Sequence, residues 1–304
     1  MDDLVDECQG AASGRVLVAF DFDHTVVDAN SDTWVYKALP SGALPDDIKA
    51  LYQPGQWTRF MNDVFEHCHQ EGVTPACMEA VMRGVPLTPG MAELLSFLGE
   101  SPEFECVIVS DANTLFIEWI LASHGLTRTF SRVFTNPAQW TSMEPGPGGG
   151  GSLPRLTVDH HHAHGCGTCH VNLCKRAVLQ GLIAEQAASS DSGGAYDRIL
   201  YVGDGGNDLC PATLLSPQDA VFARAGYPLA KALRAQQEAR EGREEAQQGQ
   251  QGQSTATAVD GPDYGERGRP HGAVACRVVE WDDARTVLDW IRANVSTSPV
   301  AGRS

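Results

Sequence analysis

The stretch Val16-Leu-Val-Ala-Phe-Asp-Phe-Asp-His-Thr25 decides the fold. Its first five residues form an apolar run that is too short for a helix and is typical of a strand buried on both faces of a parallel sheet. Such a strand would deliver Asp21 at its carboxyl end, with Asp23 two residues further on. The run therefore predicts a buried strand that ends in a pair of carboxylates.

Two further apolar runs end in the same way. Residues 105–109 lead into Ser110-Asp111, and residues 198–202 lead into Gly203-Asp204-Gly205. Helix-like stretches separate the three runs, and this alternation predicts an α/β protein with a doubly wound parallel sheet flanked by helices. Ligands bind at the carboxyl ends of the strands in such sheets, so we expect the three Asp turns to meet in one crevice.

Residues 34–86 break this alternation, because aromatic residues fall among helix formers without a clear strand. We expect a small helical insert there. Composition also predicts two flexible inserts, one dominated by Gly and Pro and one rich in Gln, Glu, Gly and Ala. The predicted division is a catalytic core at 15–33 and 87–295, a helical cap at 34–86, flexible inserts at 144–158 and 236–272, and tails at 1–14 and 296–304.

The charge of the chain restricts its partners. With 22 basic and 39 acidic residues the formal net charge is -17, which argues against nucleic acid as a ligand, since phosphate backbones need clustered Lys and Arg. A phosphate-bearing ligand must then be small and be met by a metal ion or by local cations. No secretory signal or membrane-length apolar run is visible, so we expect a soluble, cytoplasmic protein without a membrane partner, and leave organelle targeting and oligomeric state open.

Asp21 and Asp23 lie so close in sequence that they favour a bound cation, and oxygen ligands around a phosphate suit Mg²⁺. In the predicted reaction Asp21 attacks phosphorus and forms an aspartyl phosphate, while Asp23 protonates the leaving alcohol and later activates water. An Asp-x-Asp pair alone also fits a solvated turn. The other Asp turns at neighbouring strand ends favour the catalytic interpretation.

The remaining candidates each have a structural alternative. Asp204 and Asp208 would bind the metal, although Gly-Asp-Gly and Asn-Asp pairs also make ordinary turns. The segment Ser110-Asp-Ala-Asn113 offers a hydroxyl and backbone N–H groups to a phosphate oxygen, although Ser110 or Asp111 would equally suit a helix cap. Lys175 lies in a helix-like stretch, where it is either a phosphate ligand or an ordinary surface residue.

The order Asp-x-Asp-x-Thr, Ser-Asp, Lys and Gly-Asp-x-x-x-Asp resembles that of haloacid dehalogenase superfamily phosphatases. More narrowly, the chain resembles the phosphoethanolamine/phosphocholine phosphatase family, which includes members assigned to pyridoxal phosphate. The resemblance extends from about Val16 to Pro228 and rests on five segments: 20–32, Ser110-Asp-Ala-Asn113, Cys166-x-x-Cys169, Asn172-x-Cys-Lys175 and 201–211.

The resemblance implies a Rossmann-like core with a helical cap inserted after the first motif. Asp21 would be the nucleophile and Asp23 the acid/base. Mg²⁺ would be bound by Asp21, the backbone carbonyl of Asp23 and Asp204, with Asp208 in support. The residues that the resemblance assigns to phosphate, nucleophile or substrate are Thr25, Asp32, Ser110, Asp111, Asn113 and Lys175.

Asp32 and Asp111 match positions that would meet a cationic amine, and a carboxylate there favours a zwitterion such as phosphoethanolamine. We therefore predict a phosphatase of phosphoethanolamine or phosphocholine. Pyridoxal phosphate is the alternative substrate, and we count it as lacking a comparable ammonium. A phosphotransferase, or a non-enzymatic metal-binding protein, is a further alternative, and a helix cap is the alternative role for Asp32.

The segment from Asp159 to His170 carries a second pattern, rich in His and Cys. Its Cys-x-x-Cys-His formally matches a haem attachment motif, but no export route is visible. Thiolates at this spacing suit a zinc clip of Cys166, Cys169, Cys174 and one of the histidines at 160, 161, 162 and 164. A loop packed by small thiols is the alternative, and the sequence leaves the two open.

Overall fold

A computed structural model describes residues 15–141, 153–188, 194–249 and 272–295. Its main sheet has six strands, all paired in parallel, in the order β3-β2-β1-β6-β7-β8. The strands are β1 (Val16–Phe20), β2 (Phe104–Asn113), β3 (Arg132–Asn136), β6 (Arg198–Gly203), β7 (Ala220–Arg224) and β8 (Arg277–Trp281). A separate two-stranded sheet pairs β4 (Ala138–Thr141) with β5 (Arg155–Val158). The predicted α/β class with a parallel sheet is confirmed.

Strand β1 lies inside the sheet, and its register fixes the location of the site. Phe20 pairs with Ile108 on one side and with Val202 on the other. The strand order turns in opposite directions on the two sides of β1, which makes this point of the sheet a topological switch point. The residues that follow the three strands therefore meet at one edge of the sheet.

The alternating side chains of β1 face two separate apolar layers. Val16, Val18 and Phe20 belong to one core cluster, and Leu17 and Ala19 belong to another. Helices α5 (Met91–Glu100), α6 (Thr114–Ser123) and α10 (Arg285–Asn294) contribute to the first cluster, while α7 (Lys175–Ala188), α8 (Leu209–Ala212) and α9 (Pro228–Gly249) contribute to the second. The strand is buried on both faces because both layers are covered by helices.

Every regular element between Ser31 and Met82 is helical. They are α1 (Ser31–Trp34), a 3₁₀ helix (Val35–Ala38), α2 (Asp46–Lys49), α3 (Trp57–Gln70) and α4 (Pro75–Met82). Pro75 is the first residue of α4, where its missing N–H costs no hydrogen bond, and the Thr74 hydroxyl caps the helix. Where the core ends and the cap begins stays a prediction. Among the described residues, no helix is both long enough and apolar enough to cross a bilayer.

The prediction of a flexible insert at 144–158 is wrong at its end. Strand β5 pairs antiparallel with β4, and the Asn62 side chain on α3 donates to the Val158 carbonyl and accepts from its N–H at 2.8 and 2.9 Å. The alternation of Arg155-Leu-Thr-Val158 has the period of a strand, but the adjacent Gly/Pro run dominated the composition. Residues 142–152 lie outside the described residues.

The second predicted insert, 236–272, also begins as regular structure. Helix α9 continues to Gly249, because Gln, Glu, Arg and Ala are good helix formers. The start of the helix is anchored by Leu229 and Leu233, which are buried. The low apolar content of residues 236–243 predicted exposed side chains, but it did not predict a helical backbone. Residues 250–271 and both predicted tails, 1–14 and 296–304, lie outside the described residues.

Candidate active site

Three carboxylates converge at the ends of β1 and β6. One oxygen each of Asp21, Asp204 and Asp208 lies within 4.8 Å of the others, and all three residues are buried. We call these residues the carboxylate cluster. The structure thus brings together two Asp turns that are more than 180 residues apart in the sequence.

Lys175 supplies the ammonium group of this cluster. Its Nζ lies 2.8 Å from an oxygen of Asp21 and 2.8 Å from an oxygen of Asp208. The side chain is only 1% exposed, so the alternative of an ordinary surface lysine is wrong. Burial acts to lower the pKa of Lys175, but the carboxylates of Asp208 and Asp21 outweigh it and hold the pKa above its usual value.

Asp208 is held by four hydrogen-bond donors. Its Oδ1 accepts from Lys175 and from the Tyr201 hydroxyl at 2.6 Å, and its Oδ2 accepts from the backbone N–H groups of Asp204 and Gly205 at 3.1 and 2.8 Å. A Cβ at Gly203 would lie 2.5 Å from Asp208 Oδ2, so only glycine allows this approach. Asp208 therefore fixes the turn that presents Asp204.

Asp21 and Asp204 lack an equivalent set of donors. Asp21 accepts from Lys175 and from the backbone N–H of Phe22 at 2.7 Å, while Asp204 accepts from the Thr25 hydroxyl at 3.3 Å. Burial raises the pKa of Asp21 to about 7, and burial together with the charge of Asp21 raises the pKa of Asp204 to about 8. Buried carboxylates with raised pKa values indicate a shortage of positive charge.

A divalent cation fits this shortage. The carboxylate cluster has three acids against the single ammonium of Lys175, which leaves two negative charges when all are ionised. The atoms that the cluster offers to a metal are all oxygens, the ligand type that hard divalent cations prefer. The least satisfied carboxylate, Asp204, lies beside the predicted nucleophile Asp21. The cluster is therefore a candidate metal site.

Asp23 lies beside this cluster and is bound by a residue that sequence reasoning overlooked. Its two oxygens accept from the backbone N–H and the hydroxyl of Ser31 at 3.0 and 3.1 Å. Burial raises the pKa of Asp23 to about 8, with a further contribution from the charge of Asp32. A carboxyl group with this pKa holds a proton at neutral pH, as a general acid requires.

Asp32 and Asp111 form a further pair of acids, and the charge of Asp32 acts on Asp23. Asp32 is 6% exposed, and the indole N–H of Trp57 donates to it at 2.6 Å. Burial raises the pKa of Asp32 to about 6, and the charge of Asp111 contributes. Among the described residues, no Lys or Arg forms an ion pair with either acid. Both line a small cavity with Trp57 and Asn113.

The alternative roles as helix caps belong to other residues. The side chain of Asn30, not of Asp32, caps α1 by accepting from the Thr33 N–H at 2.9 Å. Likewise Asn113, not Ser110 or Asp111, caps α6 by accepting from the Phe116 N–H. Ser110 is buried and its Oγ accepts from the Ala112 N–H at 3.2 Å. Asp32, Ser110 and Asp111 are thus not needed to begin a helix.

Comparison with known proteins identifies the family. A family model described as "Putative Phosphatase" matches residues 16–256. The chain belongs to this phosphatase family. The phosphatase is 43% identical over 220 residues to pyridoxal phosphate phosphatase PHOSPHO2 of Bos taurus, covering 72% of this chain and 86% of that one. It is 38% identical over 232 residues to phosphoethanolamine/phosphocholine phosphatase of Homo sapiens, covering 76% and 81%.

The narrower resemblance inferred from the motifs is confirmed: the phosphatase is a phosphoric monoester hydrolase, related to proteins named for pyridoxal phosphate and for phosphoethanolamine/phosphocholine. A solved phospho-aspartyl intermediate analogue of phosphoserine phosphatase aligns with 91% of this chain and 99% of its own, at 13% identity and a TM-score of 0.48.

Several residues that hold the site of the phosphatase gave no signal of their own in the sequence. Trp57 lies 25 residues after Asp32, in a different helix. Tyr201 looked like an ordinary residue of the β6 run, although it directly precedes the Gly-Asp turn. The side chain of Asn207 donates to Asp111 at 2.8 Å, and Asn172 lies 3.5 Å from the same carboxylate. Asn207 and Asn172 both fall inside segments that carried the family resemblance.

The Cys/His segment of the phosphatase is arranged differently from the prediction. Cys166, Cys169 and Cys174 do come together, but the fourth member of the group is Cys210 and not a histidine. His162 and His164 instead accept hydrogen bonds from the backbone N–H groups of Cys174 and Cys166, at 3.4 and 3.3 Å. Sequence reasoning overlooked Cys210 because it lies 36 residues after Cys174, in another segment, two residues after Asp208.

Proposed function

We propose that this phosphatase hydrolyses pyridoxal 5′-phosphate in a Mg²⁺-dependent reaction that uses Asp21 as the nucleophile. The observation that carries the substrate is the higher identity to a relative named as a pyridoxal phosphate phosphatase, 43%, than to a relative named as a phosphoethanolamine/phosphocholine phosphatase, 38%. This reverses the order of substrates that the sequence motifs suggested.

The acid pair Asp32 and Asp111 is compatible with this substrate. The sequence argument counted only an ammonium group as the cation, but the ring nitrogen of pyridoxal phosphate is also a base that pairs with a carboxylate when protonated. A buried carboxylate without a cationic partner favours either group. The pair therefore selects for a positive charge on the substrate without separating a pyridinium from an ammonium.

The aromatic surroundings of Asp32 favour a planar ring. The Trp57 indole, which donates to Asp32, also packs against Tyr52 and Phe60 with ring centroids 5.7 and 5.5 Å apart. Aromatic walls with a few polar groups are typical of sites that bind flat, partly apolar ligands. A pyridine ring offers more surface to such a wall than the two-carbon chain of phosphoethanolamine.

The proposed reaction uses three side chains of the site. A carboxylate oxygen of Asp21 attacks phosphorus, the bond from phosphorus to the alcohol oxygen breaks, and the proton held by Asp23 passes to that oxygen. Asp23 then takes a proton from water as the water attacks the aspartyl phosphate, which releases phosphate and restores Asp21. Lys175, 2.8 Å from Asp21, orients the nucleophile throughout.

Thr25 and Ser110 are both buried, and their hydroxyls would donate hydrogen bonds to phosphate oxygens. Asp21 and Asp204 would hold Mg²⁺ together with the backbone carbonyl of Asp23, while Asp208 fixes the turn. The cation supplies charge that offsets the repulsion between the carboxylates and the phosphate.

The test compares three substrates with the purified chain in Mg²⁺. We expect kcat/KM to be at least about tenfold higher for pyridoxal phosphate than for phosphoethanolamine or phosphocholine. Chelation with EDTA should abolish phosphate release, and added Mg²⁺ should restore it. A higher kcat/KM for phosphoethanolamine would overturn the assignment of pyridoxal phosphate as substrate. Activity that survives EDTA would overturn the proposed requirement for Mg²⁺. Transfer of phosphate to added alcohols in place of water would identify a phosphotransferase.

Phosphoethanolamine and phosphocholine are the second candidate, favoured by the same acid pair. Two variants of one residue separate the candidates. Trp57→Phe keeps an aromatic ring and loses the N–H, whereas Trp57→Leu loses both. If the ring binds pyridoxal phosphate, KM for that substrate rises more in Trp57→Leu than in Trp57→Phe. An equal effect of the two variants would mean that only the hydrogen bond to Asp32 matters.

A further inference from the structure

Four cysteines form a compact group beside the active site. The Sγ atoms of Cys166, Cys169, Cys174 and Cys210 all lie within 4.8 Å of one another. Three of the four residues are buried and Cys166 is partly exposed. We call this group the thiol cluster. It brings the segment before α7 into contact with the start of α8.

The thiol cluster is separate from the apolar core. The two large core clusters contain aliphatic and aromatic side chains on either face of the sheet, whereas the third cluster consists of these cysteines alone. A buried cysteine that acts as a small apolar residue packs among other apolar residues, as Cys106 and Cys276 do. Four sulfur atoms that pack on one another suggest a different reason for their burial.

The spacing of the sulfur atoms matches a tetrahedral metal site. Zinc binds thiolates at about 2.3 Å, so sulfur atoms at the corners of a regular tetrahedron lie about 3.8 Å apart. The Sγ atoms of Cys166 and Cys210 are 3.9 Å apart. A disulfide requires about 2.05 Å, and the cysteines of the described residues form none. The thiol cluster therefore has the dimensions of four metal ligands.

We propose that the thiol cluster binds one Zn²⁺ ion through all four cysteines. Soft thiolate ligands with a Cys-x-x-Cys pair suit zinc, and four protein ligands fill the tetrahedron, so the site is structural and not catalytic. Binding converts four thiols into thiolates and releases their protons to solvent. Cys174 directly precedes α7, and the backbone N–H of Ala177 donates a hydrogen bond to its sulfur.

Two of the proposed zinc ligands lie next to residues of the active site in the sequence. Cys174 is adjacent to Lys175, and Cys210 lies two residues after Asp208. The zinc ion would thus bind together the two segments that carry the ion pair between Lys175 and Asp208, whose atoms are 2.8 Å apart. It would act on the phosphatase reaction by positioning Lys175, without contact to substrate.

The first test measures metal in the full-length protein, purified from zinc-containing medium without a metal-affinity step. We expect one zinc ion per chain by elemental analysis. Replacement by Co²⁺ should give the intense visible absorption of tetrahedral cobalt thiolates. A folded wild-type chain that contains no zinc and shows no cobalt thiolate bands would overturn the proposal. An intact mass that shows disulfides among these four cysteines would overturn it as well.

The second test uses matched variants. Cys166→Ser alters the partly exposed member, where a folding defect is least expected, and Cys210→Ser alters the buried member from α8. Cys77→Ser is the exposed control, and Cys106→Ser is the buried control outside the cluster. Zinc should be lost or exchange faster in both cluster variants and stay bound in both controls. Zinc that stays fully bound in both cluster variants would contradict the assignment of ligands.

Discussion

The carboxylate cluster and the thiol cluster lie on neighbouring segments but differ in almost every physical respect. The first has oxygen atoms, a lysine in contact with two of its acids, and raised pKa values that indicate missing positive charge. The second offers only the sulfur atoms of its four cysteines. The oxygen atoms of the first suit a hard cation that also binds a substrate phosphate, whereas the sulfur site is complete with its four side chains.

This difference shows how one turn serves two purposes. Asp204 and Asp208 follow β6 and face the nucleophile, while Cys210 in the next helix faces away toward the Cys/His segment. A site for phosphatase chemistry is thus held next to a group of four cysteines that fixes the backbone. The comparison predicts that changes in the carboxylate cluster affect turnover first, and that changes in the thiol cluster affect stability and metal content first.

The strongest test of the comparison removes the nucleophile. Asp21→Asn should lower the turnover of pyridoxal phosphate by roughly 10⁴-fold or more, because the neutral amide cannot form the aspartyl phosphate. The zinc content of the variant should equal that of the wild type. Phosphate release and elemental analysis on one preparation measure both. Asp47→Asn, at an exposed position in α2, is the matched control and should leave both unchanged.

Removal of the shared cation should have the next largest effect. Lys175→Met leaves the buried carboxylates of Asp21 and Asp208 without their ammonium partner, so the free energy of unfolding should fall by about 3–5 kcal/mol. Urea denaturation in the presence of EDTA measures this loss without the compensating effect of Mg²⁺. Lys49→Met removes an exposed ion pair with Asp46 and should cost less than about 1 kcal/mol. Equal losses in the two variants would mean that the buried pairs do not stabilise the fold.

Asp32 should give a change of the opposite sign. Its pKa in the folded protein is raised from 3.8 to about 6, so the folded state loses stability as the pH rises from about 4 to about 6. Above that range the full cost of a buried charge remains. Asp32→Asn removes the charge and should raise the free energy of unfolding at pH 7 by about 1–3 kcal/mol.

The gain should shrink when Asp32→Asn and the wild type are compared at pH 5, where the wild-type carboxyl group is mostly protonated. The same substitution should raise KM for pyridoxal phosphate, since the carboxylate that would pair with the protonated ring nitrogen is lost. A variant less stable than the wild type at pH 7 would show that the hydrogen bond from Trp57 outweighs the cost of the charge.

The smallest expected effect concerns the hydroxyl of Tyr201. Tyr201→Phe removes a buried donor to Asp208 but leaves Lys175 on the same oxygen, so the free energy of unfolding should fall by about 1 kcal/mol. Tyr196→Phe is the control, because its hydroxyl donates to the partly buried Glu105, where water replaces it. A larger loss in Tyr196→Phe than in Tyr201→Phe would contradict the view that Tyr201 helps to fix the carboxylate cluster.

The sequence could predict those parts of the molecule in which one pattern of residues indicates both the backbone structure and the chemistry. The runs that became β1, β2 and β6 are apolar and end in acids, so both the parallel sheet and the meeting of Asp21 with Asp204 could be predicted. Lys175 could be proposed from its place between two motifs. These features follow from local patterns and from one rule about strand ends.

Features that depend on contacts between distant segments could not be predicted. Trp57 reaches Asp32 only through the packing of α3, and Cys210 joins the thiol cluster only because α8 follows the Asp204 turn. Composition was misleading at β5 and at the end of α9. A Gly/Pro run hid the strand, and a polar run that forms a helix was taken for a flexible one. At β5 composition predicted neither the strand nor its burial, since Leu156 and Val158 lie in the core.

The central position of β1 also bears on how the chain folds as it is synthesised. Phe20 finds its neighbours Ile108 and Val202 only after about 90 and 180 further residues have been made. Contacts of such long sequence separation form late and slowly. A partly synthesised chain therefore carries Asp21 and Asp23 without Lys175 or Asp204 beside them. The like charges of the carboxylate cluster are brought together only once β6 has joined the sheet.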